Sequence, residues 1–124
     1  MSLFDWLLMG HLVGDFLLQT EGMAEGKAQS WPWMLKHIGL YMTVMTAVIG
    51  AYALTHQVPL WLVLVVLLFI AGTHIVLDRR QFTQGWMRLV RVSADHPWMP
   101  TVVDQVFHLL VLAVVAQVLI MVAG

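Results

Sequence analysis

Four apolar runs, each long enough to cross a lipid bilayer when wound into a helix, constrain this chain more than any other feature. Leu3 to Thr20, Met34 to Thr55, Leu60 to Leu77 and Thr101 to Ala123 carry few charges. At about 1.5 Å per residue, the first or third run reaches about 27 Å, just enough for a hydrocarbon core of about 30 Å. A soluble helical bundle would need polar outer faces, which these segments lack. Composition agrees: 60% of the 124 residues are hydrophobic and 10% are charged, whereas soluble domains carry about 25% charged residues. The expectation is an all-α integral membrane protein, a single domain over residues 1–124 forming a four transmembrane helix bundle. The first run lacks the basic start and small-residue cleavage pattern of a signal peptide, so it reads as a retained span. Pro59 suits the first turn of the third span, where its missing N–H would have no partner anyway.

The six Lys and Arg residues all fall in connections that four spans place on one side. Lys27 and Lys36 belong to the first connection, and Arg79, Arg80, Arg88 and Arg91 to the third, Asp78 to Pro100. The positive-inside rule therefore puts connections one and three in the cytoplasm and both termini outside. Phe82, Trp86, Leu89 and Val90 recur at helical spacing with Arg88 and Arg91 off that stripe, which predicts a short cytoplasmic interfacial helix between spans three and four. A loop whose aromatic residues cover the bundle is the alternative. Six cations against seven acids exclude a nucleic-acid binder that works through a general basic surface. The lack of cysteine excludes disulfides, thiolate metal sites and a Cys nucleophile, and says nothing about compartment.

An Asp at the middle of a span costs about 2.5–3.5 kcal/mol on insertion scales, so each one asks for a reason. His11 with Asp15, His74 with Asp78, and Asp104 with His108 are i,i+4 pairs, each with both members on one helix face. Spans one and three run inward and carry His before Asp; span four runs outward and carries Asp before His. In all three, Asp is nearer the cytoplasm and His about 6 Å deeper. His37 falls at roughly the level of the Asp residues, so all four helices bring imidazole to one inner layer. Imidazole and carboxylate are ligands of Zn²⁺, Mn²⁺ and Fe²⁺, and facing helices of a bundle build such sites. The candidate ligands are His11, His37, His74, His108, Asp15, Asp78 and Asp104, enough for one or two ions. The Asp residues could instead orient the His rings. A metal-free polar network or a proton relay is the competing reading.

Gln19 and Gln105 could extend this layer or face headgroups. Lys27 and Lys36 read as topology signals with snorkelling side chains, His56 and His96 as solvated, and the nine Met and six Trp as packing and interfacial anchors.

The run His11-Leu12-Val13-Gly14-Asp15-Phe16-Leu17-Leu18-Gln19-Thr20 resembles the opening signature of a bacterial membrane family known only as domain of unknown function 3307. Lys27, Lys36-His37, His74-Ile75-Val76-Leu77-Asp78 and Asp104-Gln105-Val106-Phe107-His108 are similar to its later elements, so the resemblance covers nearly the whole chain. It implies location in the bacterial cytoplasmic (inner) membrane. More loosely, the His and Asp pattern is similar to that of small inner-membrane proteins described as metal-dependent hydrolases, which implies metal chemistry without naming a substrate.

The leading function is a metal-dependent hydrolase opening toward the cytoplasmic leaflet. His11, His74, His108 and His37 are its ligands, and one of Asp15, Asp78 or Asp104 is its general base. Lys36, or Arg79 and Arg80, would hold a phosphate or lipid headgroup of the substrate. The alternative is a non-catalytic accessory or assembly subunit of a larger membrane complex, in which the polar layer fixes helix packing. An ion or proton carrier is a third class. The apolar outer halves of spans two, three and four, with Thr43 and Thr46 the main hydroxyls, count against it.

Overall fold

The computed structural model describes residues 1–91 and 95–123, and these are helical with no strand among them. Residues 92–94, inside the connection read as Asp78 to Pro100, lie outside the described residues, as does Gly124, the last residue of the 1–124 domain. Helix α1 spans Leu3–Leu12 and continues through a π-helical turn, Val13–Leu17; α2 spans Glu21–Gly26, α3 Trp31–His56, α4 Leu60–Asp78, α5 Gln81–Leu89 and α6 Met99–Ala123. Three of them, α3, α4 and α6, are long and apolar enough to cross a membrane.

The first apolar run behaves differently from the other three. Its helix begins with a capping box: the Asp5 amide donates to Ser2 Oγ at 3.1 Å and the Ser2 amide donates to the Asp5 carboxylate at 2.8 Å, which occupies amides that the first helical turn leaves without partners. It ends at Leu17 rather than Thr20, because the Thr20 hydroxyl accepts from the Met23 amide at 3.3 Å and starts α2. Ten α-helical and five π-helical residues extend about 22 Å. The polar stretch after it, expected as a connection from Glu21 to Trp33, holds α2 and the opening of α3, with a Pro in the first turn of α3 where no amide is lost.

Helix α1 packs against α3 and α6, and α4 packs against the same two, so four helices surround one interior. Buried positions recur every three or four residues: Ile38, Tyr41, Met45 and Ile49 on α3, Leu62, Val66 and Ile70 on α4, Leu112, Val115 and Leu119 on α6. That is the periodicity of one inward helix face. The polar residues sit on the same stripes. His74 and Asp78 continue the buried face of α4, Asp104 and His108 begin that of α6, and His11 and Asp15 continue Leu3 and Leu7 of α1. The interior therefore has an apolar half toward the chain termini and a polar half toward α2 and α5. Outward faces are apolar, as at Leu54, Leu68 and Met121.

Helix α5 occupies the segment read as an interfacial helix. Thr83 and Met87 are its buried face, while Phe82, Trp86 and Leu89 are exposed. Arg80, at φ 67°, makes the left-handed turn that reverses the chain between α4 and α5.

Candidate metal centre

All seven residues singled out as candidate ligands are buried and meet in the polar half: His11, Asp15, His37, His74, Asp78, Asp104 and His108 are each at most 4% exposed. The π turn puts Asp15 there. Its extra residue, marked by the Leu18 amide donating to the Val13 carbonyl at 2.9 Å, lets Gly14 lie directly on Tyr41. A Cβ on Gly14 would stand 2.8 Å from Tyr41 Cδ2, so the close approach requires glycine. π-helical turns of this kind are frequent at functional sites.

Two groups of ligand-type atoms form among the described residues, each group within 4.8 Å throughout: Asp15, His37, His74 and Asp78, and then Asp78, Asp104 and His108. In the first, His37 Nε2 is 3.1 Å from Asp15 Oδ1 and 2.9 Å from Asp78 Oδ2, and His74 Nε2 is 2.8 Å from Asp78 Oδ2. The two Nε2 atoms are 2.9 Å apart. Nδ1 of both rings is buried without a hydrogen-bond partner. In the second, His108 Nε2 is 3.2 Å from Asp78 Oδ1, and Asp104 Oδ1 accepts from the Thr83 hydroxyl at 3.1 Å. Asp78 belongs to both groups, one oxygen turned to each.

His11 stands outside both groups because its two nitrogens are engaged elsewhere. Gln105 Oε1, 2.7 Å from His11 Nε2, can only accept, so Nε2 carries the hydrogen and Nδ1 accepts from the Tyr41 hydroxyl at 2.7 Å. Gln105 then donates to Asp15 Oδ2 at 3.0 Å. The chain Tyr41, His11, Gln105, Asp15 is a one-way series of hydrogen bonds that aims the Asp15 carboxylate, the kind of outer support that metal-binding carboxylates receive. Gln105 thus extends the layer, while the Gln19 side-chain oxygen is buried without a partner.

Lys27 departs from its sequence reading. It is not a snorkelling side chain: it is 6% exposed, and its Nζ lies 3.1 Å from both Asp15 Oδ1 and Asp78 Oδ2. The physical reason is the packing of α2. Gly22 and Gly26, four apart, place their backbone against the Trp33 ring where a side chain would overlap it, and this closeness folds Lys27 inward. That glycine spacing was the available signal. Tyr41, four residues after His37 on the same face, and Thr83 were the other participants that reading the sequence missed.

The remaining candidates lie apart from the centre. Lys36 is exposed, with its Nζ 4.7 Å from the Trp33 ring centroid. Arg79 lies over Trp31 at 4.6 Å. Arg80 lines a groove of about 590 Å³ with Thr83, Arg88 and Arg91. His56 and His96 are exposed, stacked on Tyr52 and Trp98.

What the arrangement can do follows from its donors. Two imidazoles and two carboxylates converging in a buried interior could hold a divalent transition metal, and Lys27 supplies a cation that can partly neutralise the same carboxylates without one. Neither the curated proteins nor the solved structures contain a match to this chain. The family model described as Protein of unknown function (DUF3307) matches residues 3–123, nearly the whole chain, and the protein belongs to that family.

Proposed function

We propose that this protein crosses the bacterial inner membrane four times, with both termini outside, and holds a divalent transition-metal ion at Asp15, His37, His74 and Asp78 close to the cytoplasmic face. The ion is Zn²⁺, Mn²⁺ or Fe²⁺, and its use is metal-dependent hydrolysis of a phosphate-bearing substrate at the membrane. The observation that carries this is the spacing of the donor atoms. Ligands held about 2.1 Å from a common ion stand about 3.0–3.4 Å apart in octahedral or tetrahedral geometry, and here the separations between donors run from 2.8 to 3.7 Å, bracketing that range. A bound divalent ion supplies Lewis acidity and an activated water. The chain supplies orientation through Tyr41, His11 and Gln105, a carboxylate as general base from among Asp15, Asp78 and Asp104, and an anion-binding wall in Arg80, Arg88 and Arg91. Elemental analysis of protein purified without chelator is expected to find close to one Zn, Mn or Fe per chain, absent from the His37→Ala/His74→Ala variant. Wild-type protein that stays metal-free after incubation with each of these ions would refute the reading.

A specific observation favours a second reading, a metal-free accessory subunit of a larger membrane complex. Lys27 already bridges the carboxylates of Asp15 and Asp78, and the rings of His37 and His74 lack the outer hydrogen bond at Nδ1 that usually orients a metal-bound imidazole. In that case the ion pairs fasten α1, α2 and α4 together. Co-purification with a large partner, retained by an Asp15→Asn variant, is its signature.

A further inference from the structure

The proposed ion uses one oxygen of Asp78 and leaves the other, with His108 and Asp104, unexplained. His108 Nδ1 lies 2.8 Å from the Asp104 backbone carbonyl. A carbonyl only accepts, so Nδ1 carries the hydrogen and, in the neutral ring, Nε2 is a bare lone pair. That lone pair faces Asp78 Oδ1, another acceptor, at 3.2 Å. Both atoms are buried without a hydrogen-bond partner, and His108 and Asp78 are 3% and 0% exposed. Two acceptors held this close in a buried interior repel unless a cation, a proton on Nε2 or a metal ion, lies between them. The Nδ1 bond is also the one that orients a ring whose Nε2 binds metal. Asp104 adds a carboxylate, itself positioned by Thr83. A carboxylate with its oxygens turned to two adjacent groups is how paired ions are held about 3.5–4 Å apart in two-metal sites.

Charge identifies what accompanies a second ion. Asp15, Asp78 and Asp104 contribute three negative charges and Lys27 one positive. With the imidazoles neutral, one divalent ion makes the buried set neutral, and two leave an excess of two positive charges, a state that a buried interior disfavours without a counter-charge. A phosphate dianion supplies it. Thr83, which holds Asp104, also lines the groove bordered by Arg80, Arg88 and Arg91, so an anion approaching along that groove arrives at the second group first.

We infer that Asp78, Asp104 and His108 form a second divalent-metal position that shares Asp78 with the first and fills together with a phosphate group. The inference rests on the first group being a metal site. Equilibrium dialysis of the detergent-purified full chain against Mn²⁺ is expected to give one equivalent per chain in phosphate-free buffer and two with inorganic phosphate, or with phosphatidic acid in nanodiscs, the second case assigning the group to a lipid headgroup. The paramagnetic resonance of the two-ion form should show an exchange-coupled pair in place of an isolated Mn²⁺ spectrum. Asp104→Asn/His108→Gln should remain at one equivalent with phosphate, which also shows that the variant is folded. One equivalent in wild type under every condition overturns this inference alone, as do two equivalents without any phosphate. No bound Mn²⁺ at all overturns the first position and with it both readings.

Discussion

Replacing Lys27 by Met keeps most of the side-chain volume and removes the ammonium from between two carboxylates. With Nζ 3.1 Å from Asp15 Oδ1 and from Asp78 Oδ2, each pair represents about 5 kcal/mol of gross Coulomb attraction at an effective dielectric near 20. Part of this is offset because the ammonium no longer has to be desolvated, so the net cost expected for breaking a buried pair on one side is about 3–5 kcal/mol. The measurement is the unfolding free energy from SDS titration in mixed micelles, on metal-free protein. Lys36→Met is the control: Lys36 is exposed over the Trp33 ring, and its loss should cost at most about 1 kcal/mol. Divalent metal should rescue Lys27→Met, since an ion that binds only the folded state returns about 2.7 kcal/mol at one hundred times its Kd. A Lys27→Met variant as stable as Lys36→Met would show that the ammonium does not hold the carboxylates, and the account of α2 folding inward would fail with it.

Two further predictions concern packing and orientation. Gly14→Ala forces a methyl to within 2.8 Å of the Tyr41 ring and 3.3 Å of its Cα, so the same titration should show a loss of about 1–3 kcal/mol. Gly39→Ala, with nothing within 4 Å of the added Cβ, should be neutral or stabilising by up to about 1 kcal/mol; equal losses at the two positions would refute the close approach at Gly14. Because the chain has no cysteine, single introduced thiols report sidedness. In right-side-out spheroplasts a membrane-impermeant maleimide should label His56→Cys and not Arg88→Cys, and the reverse pattern would invert the topology.

Much of the architecture is legible in the sequence because burial and membrane length both write themselves as apolar runs. The runs beginning at Met34, Leu60 and Thr101 coincide with α3, α4 and α6 to within a few residues. The first run misleads at its end, since an i→i+5 turn has no periodicity that distinguishes Val13–Leu17 from an ordinary helix end, and Thr20 caps a new helix although it closes an apolar stretch. The clustering of the His/Asp residues was readable from i,i+4 spacing and from the order of each pair along its span. Their division of labour was not. Spacing places His11 and His74 alike, whereas the structure gives both nitrogens of His11 to Tyr41 and Gln105 and leaves His74 facing Asp78. Lys27 was hidden for a different reason. A lysine beside an apolar run usually belongs to the headgroup layer, and only the Gly22 and Gly26 contact with Trp33 reverses that expectation.

The two halves of the interior also decide how the centre can communicate with its surroundings. Toward the chain termini the polar layer is sealed by Leu7, Met45, Ile49, Ile70, Leu112 and Leu119, each at most 2% exposed. A void of about 10 Å³ beside Tyr41, His74 and His108 is at the lower limit of what a single water requires, about 10–15 Å³. An ion moving that way would have to shed its ligands into a region that offers no replacement, at a cost of several kcal/mol or more. Toward the other end the covering groups are of another kind: Lys27 on the short segment after α2, and Thr83 on α5, which also lines the arginine-bordered groove. Displacing the Lys27 head breaks two ion pairs but crosses no apolar layer, whereas tilting α5 would also break the ring contacts of Phe82 and Trp86 with Phe107. On the proposed reading, exchange with solvent and access for a substrate are therefore expected at the end that carries the six cations, whereas a carrier would need a second route through the apolar half.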